Sequence, residues 1–311
     1  MIKIAVAGIG GVGGYFGGKL AQHYQDSDEV EIYFIARGEN EKIIRQKGLT
    51  VETPTENFTA HPKLVTSDPT QIGEVDLLIC CTKSYDLEQS ILQLKPCISR
   101  NTVILPLLNG IDSYERIKAV YLENEVWEGC VYIVSRLTDP GLVTVSGDFN
   151  SLFFGSDNGT NTKLELALQL FKEAGISATL SQKIKQTIWE KYLFISTIAT
   201  LTSYLDVSIG AILAKQENLD LLYSLLQELI QVGKAKGINL QEDSVQKTTA
   251  RMAKLPYETT SSMHSDYQKG KNTEVDSLTG YVVKLGQQLQ IPVPTYTRLY
   301  AALKNLRNEA I

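Results

Sequence analysis

Three glycines, Gly8, Gly10 and Gly13, form the pattern G-x-G-x-x-G within "VAGIGGVGGYFGG", after a short apolar run and at the head of a helix-compatible one. Glycine at these spacings permits a tight turn, then a close approach of backbone to a pyrophosphate, then close packing of helix on strand. Unpaired N–H groups at the helix start face the phosphates with a partial positive charge. The loop Gly8, Ile9, Gly10, Gly11, Val12, Gly13 is therefore the expected seat of a dinucleotide. The next apolar run, "EIYFIA", ends in Arg37 where a fold that prefers NAD usually places Asp or Glu. A guanidinium there pairs with a ribose 2′-phosphate, so the expected cofactor is NADP(H).

A second residue of chemical interest is Lys191, at the head of "KYLFISTIATLTSYL", a run with no Asp, Glu, Lys or Arg from Tyr192 to Leu205. A lysine at the edge of a buried helix can reach water along its own stem. It can also hold an ammonium beside an oxygen that gains negative charge, stabilising that charge and delivering a proton. At neutral pH a lysine is already the acid. Burial would make it a better donor, and a nearby carboxylate, with Glu274 and Asp266 as candidates, would offset part of that effect.

Positioning these groups requires a scaffold. "IKIAVAG", "VEIYFIA", "VDLLICC" and "TVILPLL" are continuous apolar runs separated by helix-permitting sequence, the pattern of parallel strands buried on both faces. "VWEGCVYIVSRL", "GLVTVSG" and "SLFFGS" follow as strands in quick succession, an expected antiparallel extension, and a helix and a short strand close this part. From Lys183 onward the periodicity is helical only; Val275, Leu278, Val282, Leu285 and Leu289 recur at three- and four-residue steps as one apolar face. The expected fold is α/β: a Rossmann-type doubly wound sheet with an antiparallel extension over residues 1–182, then an all-α domain over 183–311. The stretch 255–273 reads as the longest polar loop.

Composition narrows the function further. With 311 residues, 43% apolar and 21% charged, the chain has material for two cores of an ordinary globular enzyme. A net charge of −5 without a basic cluster argues against nucleic acid. The uncharged run 192–205 is too short for a membrane span, and "MIKIAVAGIG" lacks the h-region of a signal peptide, so a cytoplasmic location is expected. Cys80, Cys81, Cys97 and Cys130 make no C-x-x-C pair and the three histidines are far apart, so buried thiols are expected and no metal.

Over nearly its whole length the sequence resembles the ketopantoate reductase (2-dehydropantoate 2-reductase) family. The resemblance rests on "GIGGVGGYFGG", "TKSYD" with Lys83, "LNG" with Asn109, "WEKYL" with Lys191, and "SSMHSDYQKGKNTEVD" with Ser262 and Glu274. It implies a Rossmann domain and a helical domain with the active site in the cleft between them, and NADPH-dependent reduction of ketopantoate to pantoate on the way to pantothenate and coenzyme A. It also implies roles. Lys191 would be the general acid, Lys83 and Asn109 would lie beside the nicotinamide and substrate, and Ser262 would contact the substrate carboxylate. Glu274 would contact the cofactor ribose and orient Lys191, and Arg37 would hold the 2′-phosphate.

The family usually carries asparagines four and eight residues after this lysine and another shortly beyond; the matching positions here are Ile195, Ala199 and Ile209. One face of the helix has thus changed from polar to apolar, with Thr197, Thr200 and His264 as candidate replacements and an exposed loop position as the alternative for His264. Two further readings follow: a reductase of a more apolar 2-oxo acid, and a catalytically silent NADP(H)-binding sensor. The helical part is the expected surface for a homodimer, which periodicity does not decide.

Overall fold

The structure, a computed structural model, describes residues 1–308. The chain forms two compact units, one of residues 1–108 and 113–184, the other of residues 109–112 and 185 onward.

The first unit contains, in order, β1 (Ile2–Ala7), α1 (Gly11–His23), β2 (Val30–Ile35), α2 (Gly38–Lys47), β3 (Leu49–Glu52), β4 (Asn57–Ala60), β5 (Leu64–Thr66) and β6 (Leu77–Cys80). After these come α3 (Leu87–Gln93), β7 (Val103–Pro106), α4 (Ser113–Val120), β8 (Glu128–Asp139), β9 (Leu142–Gly155), α5 (Thr162–Glu173) and β10 (Ser177–Leu180). A parallel sheet runs in the order β5-β2-β1-β6-β7. Its two faces serve different cores. Ile4 and Val6 of β1 pack with Phe16 and Leu20 of α1, while Ala5 and Ala7 pack with Leu87 and Ile91 of α3. Burial on both faces is why these strands read as unbroken apolar runs. The order reverses between β2-β1 and β1-β6, and such a switch point is where open α/β sheets bind their ligands, at the carboxyl ends of the strands.

The expected extension is a second sheet with mixed pairing. β8 and β9 are antiparallel, as are β3 and β4, but β3 and β10 both run parallel to β9. "GLVTVSG" and "SLFFGS" belong to one long strand, β9, whose register against β8 is broken between Tyr132 and Val134. Strands β3, β4 and β5 carry too few apolar residues to stand out in the sequence, since each is only three or four residues long.

The second unit is helical: α6 (Ile184–Leu205), which starts one residue before it, α7 (Ile209–Ala214), α8 (Gln216–Ala235), α9 (Ser244–Ala253), α10 (Ser262–Gln268), a π-helical segment (Asp276–Gly280), α11 (Tyr281–Leu289) and α12 (Pro294–Asn308). Val275, Leu278, Val282 and Leu285 are buried, as the periodicity predicts, and Leu289 at the end of α11 is only partly so. The stretch 255–273 is not all loop: Ser261 accepts a hydrogen bond from the His264 N–H (3.0 Å) and caps α10 inside it. Polar composition concealed this helix because serine and histidine signal its cap and its buried face at once. No described helix is long and apolar enough to cross a membrane.

Candidate active site

The turn from β1 to α1 carries the glycine loop. Gly8 has φ +92°, a conformation side chains rarely adopt, and a Cβ there would lie 2.8 Å from the Cys81 carbonyl oxygen. At Gly13 a Cβ would lie 2.2 Å from the Gly8 carbonyl oxygen, so helix and turn meet without room for a methyl group. Gly10 differs: nothing lies within 4 Å of a Cβ built on it. That open space is where a pyrophosphate would approach the backbone.

Around the loop is a cavity of about 840 Å³, lined by Gly8, Ile9 and Gly10, by Arg37 and Asn40 after β2, by Ser67–Thr70 after β5, and by Thr82, Lys83 and Asp86 after β6. Gly11, Val12 and Gly13 do not line it; Gly11 packs against the backbone of Ser135 in β8. Arg37 is exposed at the cavity edge and its guanidinium donates to Gln93 Oε1, a neutral partner that leaves the positive charge uncancelled. Asp68, one of two acids in the cavity lining with Asp86, accepts from the Thr70 hydroxyl (2.7 Å) and N–H (3.0 Å), which holds its carboxyl below the usual range. The buried Thr82 hydroxyl has no hydrogen-bond partner among the described residues. A cavity of this size, with an open glycine backbone, a guanidinium and an unsatisfied hydroxyl, fits a dinucleotide.

Two positioning residues were not singled out from sequence. Asn40 donates to the Ile9 carbonyl and accepts from the Gly141 N–H, each at 2.8 Å, fastening the glycine loop to the β8–β9 turn. Arg116 on α4 donates to the Ser84 carbonyl (2.6 Å) and grips the Glu88 carboxylate, which fixes the turn beginning at Lys83. Neither belongs to a motif; each acts through a partner far away in sequence. Replacing Asn40 with alanine should remove both bonds and weaken NADPH binding roughly tenfold, read as a Kd by fluorescence titration.

In the helical unit Lys191 is buried, 5% exposed, and its Nζ donates to Asn109 Oδ1 at 2.8 Å. An amide oxygen orients an amine without neutralising its charge. The segment that carries Asn109 is itself anchored: buried Asp112 accepts from the Ser277 hydroxyl at 3.2 Å. α6 is fastened to the same region, because Tyr192 donates to the carbonyls of Ser277 (2.7 Å) and Leu278 (3.1 Å), and Ser196 to Leu278 (2.6 Å). Burial pushes the Tyr192 hydroxyl far above its ordinary pKa, so it stays a donor. Glu274, also buried, lies one turn before these contacts.

The remaining expected site residues are spread over this unit. Ser262 is exposed at the first position of α10; Ile195 is half-buried, Ala199 buried, and Ile209 buried at the start of α7. Thr197 and Thr200 are both buried and bonded within this unit: Thr197 donates back to the Leu193 carbonyl (2.6 Å) and Thr200 bonds Thr279 (2.8 Å). His264 is not an exposed loop histidine. It is 4% exposed, and its Nε2 pairs with Asp206 at 2.7 Å, which holds that carboxyl below its usual range. The cysteines form no disulfide among the described residues, and burial pushes Cys80 up to about 12 and Cys97 to about 11, so both remain thiols.

A switch-point cavity built on a glycine turn, in a chain that also holds a buried lysine on an amide, defines an oxidoreductase with a nicotinamide cofactor. Residues 4–159 match the family described as Ketopantoate reductase PanE/ApbA, and residues 183–307 match Ketopantoate reductase PanE/ApbA C terminal. The chain belongs to the ketopantoate reductase family. It is 30% identical over 304 residues to the uncharacterized oxidoreductase YkpB of Bacillus subtilis (strain 168), covering 97% of this chain and 98% of that one. It is 26% identical to a 2-dehydropantoate 2-reductase of Streptococcus pyogenes serotype M3, covering 99% and 98%. The crystal structure of 2-dehydropantoate 2-reductase from Porphyromonas gingivalis W83 superposes with a TM-score of 0.86 at 38% identity, covering 97% of this chain and 99% of that one.

Proposed function

We propose that the protein reduces a 2-oxo acid to a 2-hydroxy acid with NADPH, the reaction type of 2-dehydropantoate 2-reductase. The observation that carries this reading is the buried Lys191 amine held on the Asn109 amide. When bound, the reduced nicotinamide supplies the hydride that reaches C2. As that carbon gains two electrons, the carbonyl π pair moves onto oxygen, and Lys191 gives this oxygen a proton; the amine is reprotonated from solvent. Until the proton moves, the ammonium stabilises the developing charge. Asn109 keeps the amine in place, Ser262 binds the substrate carboxylate, and Glu274 orients Lys191 and meets the cofactor ribose. Gly8, Ile9 and Gly10 receive the pyrophosphate, Gly11, Val12 and Gly13 shape that turn, and Lys83 lies beside the nicotinamide half.

Arg37 selects the 2′-phosphate. Its charge is uncancelled by Gln93, and Asp68 is occupied by Thr70. Arg37→Ala should therefore raise the KM for NADPH roughly ten- to a hundredfold, as loss of a charge-assisted bond does, and leave the KM for NADH unchanged. Equal effects on both cofactors would remove Arg37 from this role. The overall test follows NADPH absorbance with a panel of 2-oxo acids, including ketopantoate. Tight NADPH binding without turnover of any acid would instead indicate a sensor. A homodimer through the helical unit completes the proposal and is checked by light scattering.

A further inference from the structure

Lys191 and Asn109 come from distant stretches of chain, and one residue ties both stretches down. On the amine side, Tyr192 follows Lys191 in α6, and its hydroxyl donates to the Ser277 carbonyl at 2.7 Å. On the amide side, Asp112 lies three residues after Asn109 and its Oδ2 accepts from the Ser277 hydroxyl at 3.2 Å. Together with the 2.8 Å bond from Lys191 to Asn109, these contacts close a ring. Ser277 serves one arm of it with its main chain and the other with its side chain. Lys191, Tyr192, Asp112 and Ser277 are all buried, where water competes little for such bonds. Two further features suit Ser277 to this part. It belongs to the π-helical segment Asp276–Gly280, and single turns of this kind occur frequently at functional sites. The turn after Asn109 also folds over it: Gly110 has φ +111°, and a Cβ there would lie 3.0 Å from Asp112 Oδ1 and 3.5 Å from Ser277 Cβ.

Resting on the reaction proposed above, we infer that Ser277 is a positioning residue for proton transfer, fixing the Asn109 amide relative to α6 and so aiming the Lys191 amine. Residues 109–112 are an isolated stretch of the helical unit, so tertiary bonds set their place in it. The Asp112 carboxylate is the handle by which Ser277 holds them. A proton donor tolerates little displacement, since a shift of about 1 Å costs roughly a hundredfold in rate. Ser277 itself touches neither the amine nor the reacting oxygen in this role.

A double-mutant cycle on the full-length protein tests this, using whichever 2-oxo acid of the panel the parent reduces fastest. Ser277→Ala keeps the carbonyl that Tyr192 uses and removes the hydroxyl that holds Asp112. It should lower kcat about tenfold, the loss of one bond to a carboxylate, and leave the KM for NADPH unchanged. Because Ser277 acts through the amide, Ser277→Ala combined with Asn109→Ala should be no slower than Asn109→Ala alone, to within about twofold. Should the alanine variant fail to fold, Ser277→Cys, of similar size but a weak donor, takes its place in the cycle. Parent-like kcat in the Ser277 variant, or two losses that simply multiply, overturns this inference and leaves the reductase reading standing. A parent protein that reduces no 2-oxo acid, or a Lys191→Met variant as fast as the parent, overturns both.

Discussion

Replacing Lys191 with methionine should lower kcat for 2-oxo acid reduction by about 10²–10⁴-fold while NADPH affinity is unchanged. Methionine keeps most of the apolar stem, so the 5% exposed site stays filled and the helix stays packed. What disappears is the ammonium. The oxygen that receives the electron pair then has no nearby acid, and its charge must be met by whatever water reaches it. Stopped-flow absorbance separates this from a binding defect, because a merely structural lysine would alter the melting temperature or NADPH affinity rather than turnover alone. Asn109→Ala should give a smaller loss of kcat in the same direction, since the amine is kept but no longer held at 2.8 Å. Were Lys191→Met to reduce 2-oxo acids at the parent rate, the proton would come from elsewhere and the mechanism would be wrong.

The glycine loop gives a second large effect, and it divides folding from binding. Gly13→Ala places a methyl group 2.2 Å from the Gly8 carbonyl oxygen and 2.9 Å from the Cys81 side chain. Backbone on one side and Cys81, just past β6, on the other leave little room to relax, so a cost of about 3 kcal/mol is expected. For a unit of this size that corresponds to a fall in melting temperature of about 6–12 °C. Gly10→Ala should behave differently. Its added methyl group meets no atom within 4 Å and its φ of −98° suits any residue, so the melting temperature should hold. The methyl group then fills the space a pyrophosphate would use, and NADPH affinity should fall tenfold or more, roughly the loss of one or two charge-assisted bonds. Calorimetry of unfolding and of NADPH binding on the two variants reads the contrast directly. If Gly10→Ala binds NADPH as tightly as the parent, the phosphates lie elsewhere.

Much of this arrangement was legible in the sequence because local patterns carried it. The glycines of the first turn, the double-sided apolar strands and the face from Val275 to Leu285 each obey a short-range rule. The details that escaped are long-range. β3 pairs with β9 some ninety residues later, and nothing in "LTVE" announces a parallel partner. Asn40 and Arg116 act on Ile9, Gly141 and Ser84, contacts only a folded chain brings together. The bonds made by the hydroxyls of α6 are hidden in the sequence for a related reason. Threonines in a helix can point outward or bond their own backbone, and sequence does not distinguish the two. His264 reads as exposed because its neighbours are polar, yet it lies on the buried face of α10 and pairs there with the exposed Asp206, just past the end of α6.

Membership of Asn109–Asp112 in the helical unit has a practical consequence for dissection of the protein. These four residues are encoded well upstream of the other helical ones, yet their polar partners Lys191 and Ser277 lie far downstream. A helical fragment beginning at residue 183 would lack the amide that its lysine grips. Adding back a short peptide spanning residues 109–112 is a simple complementation trial, with the fragment's resistance to protease as its readout.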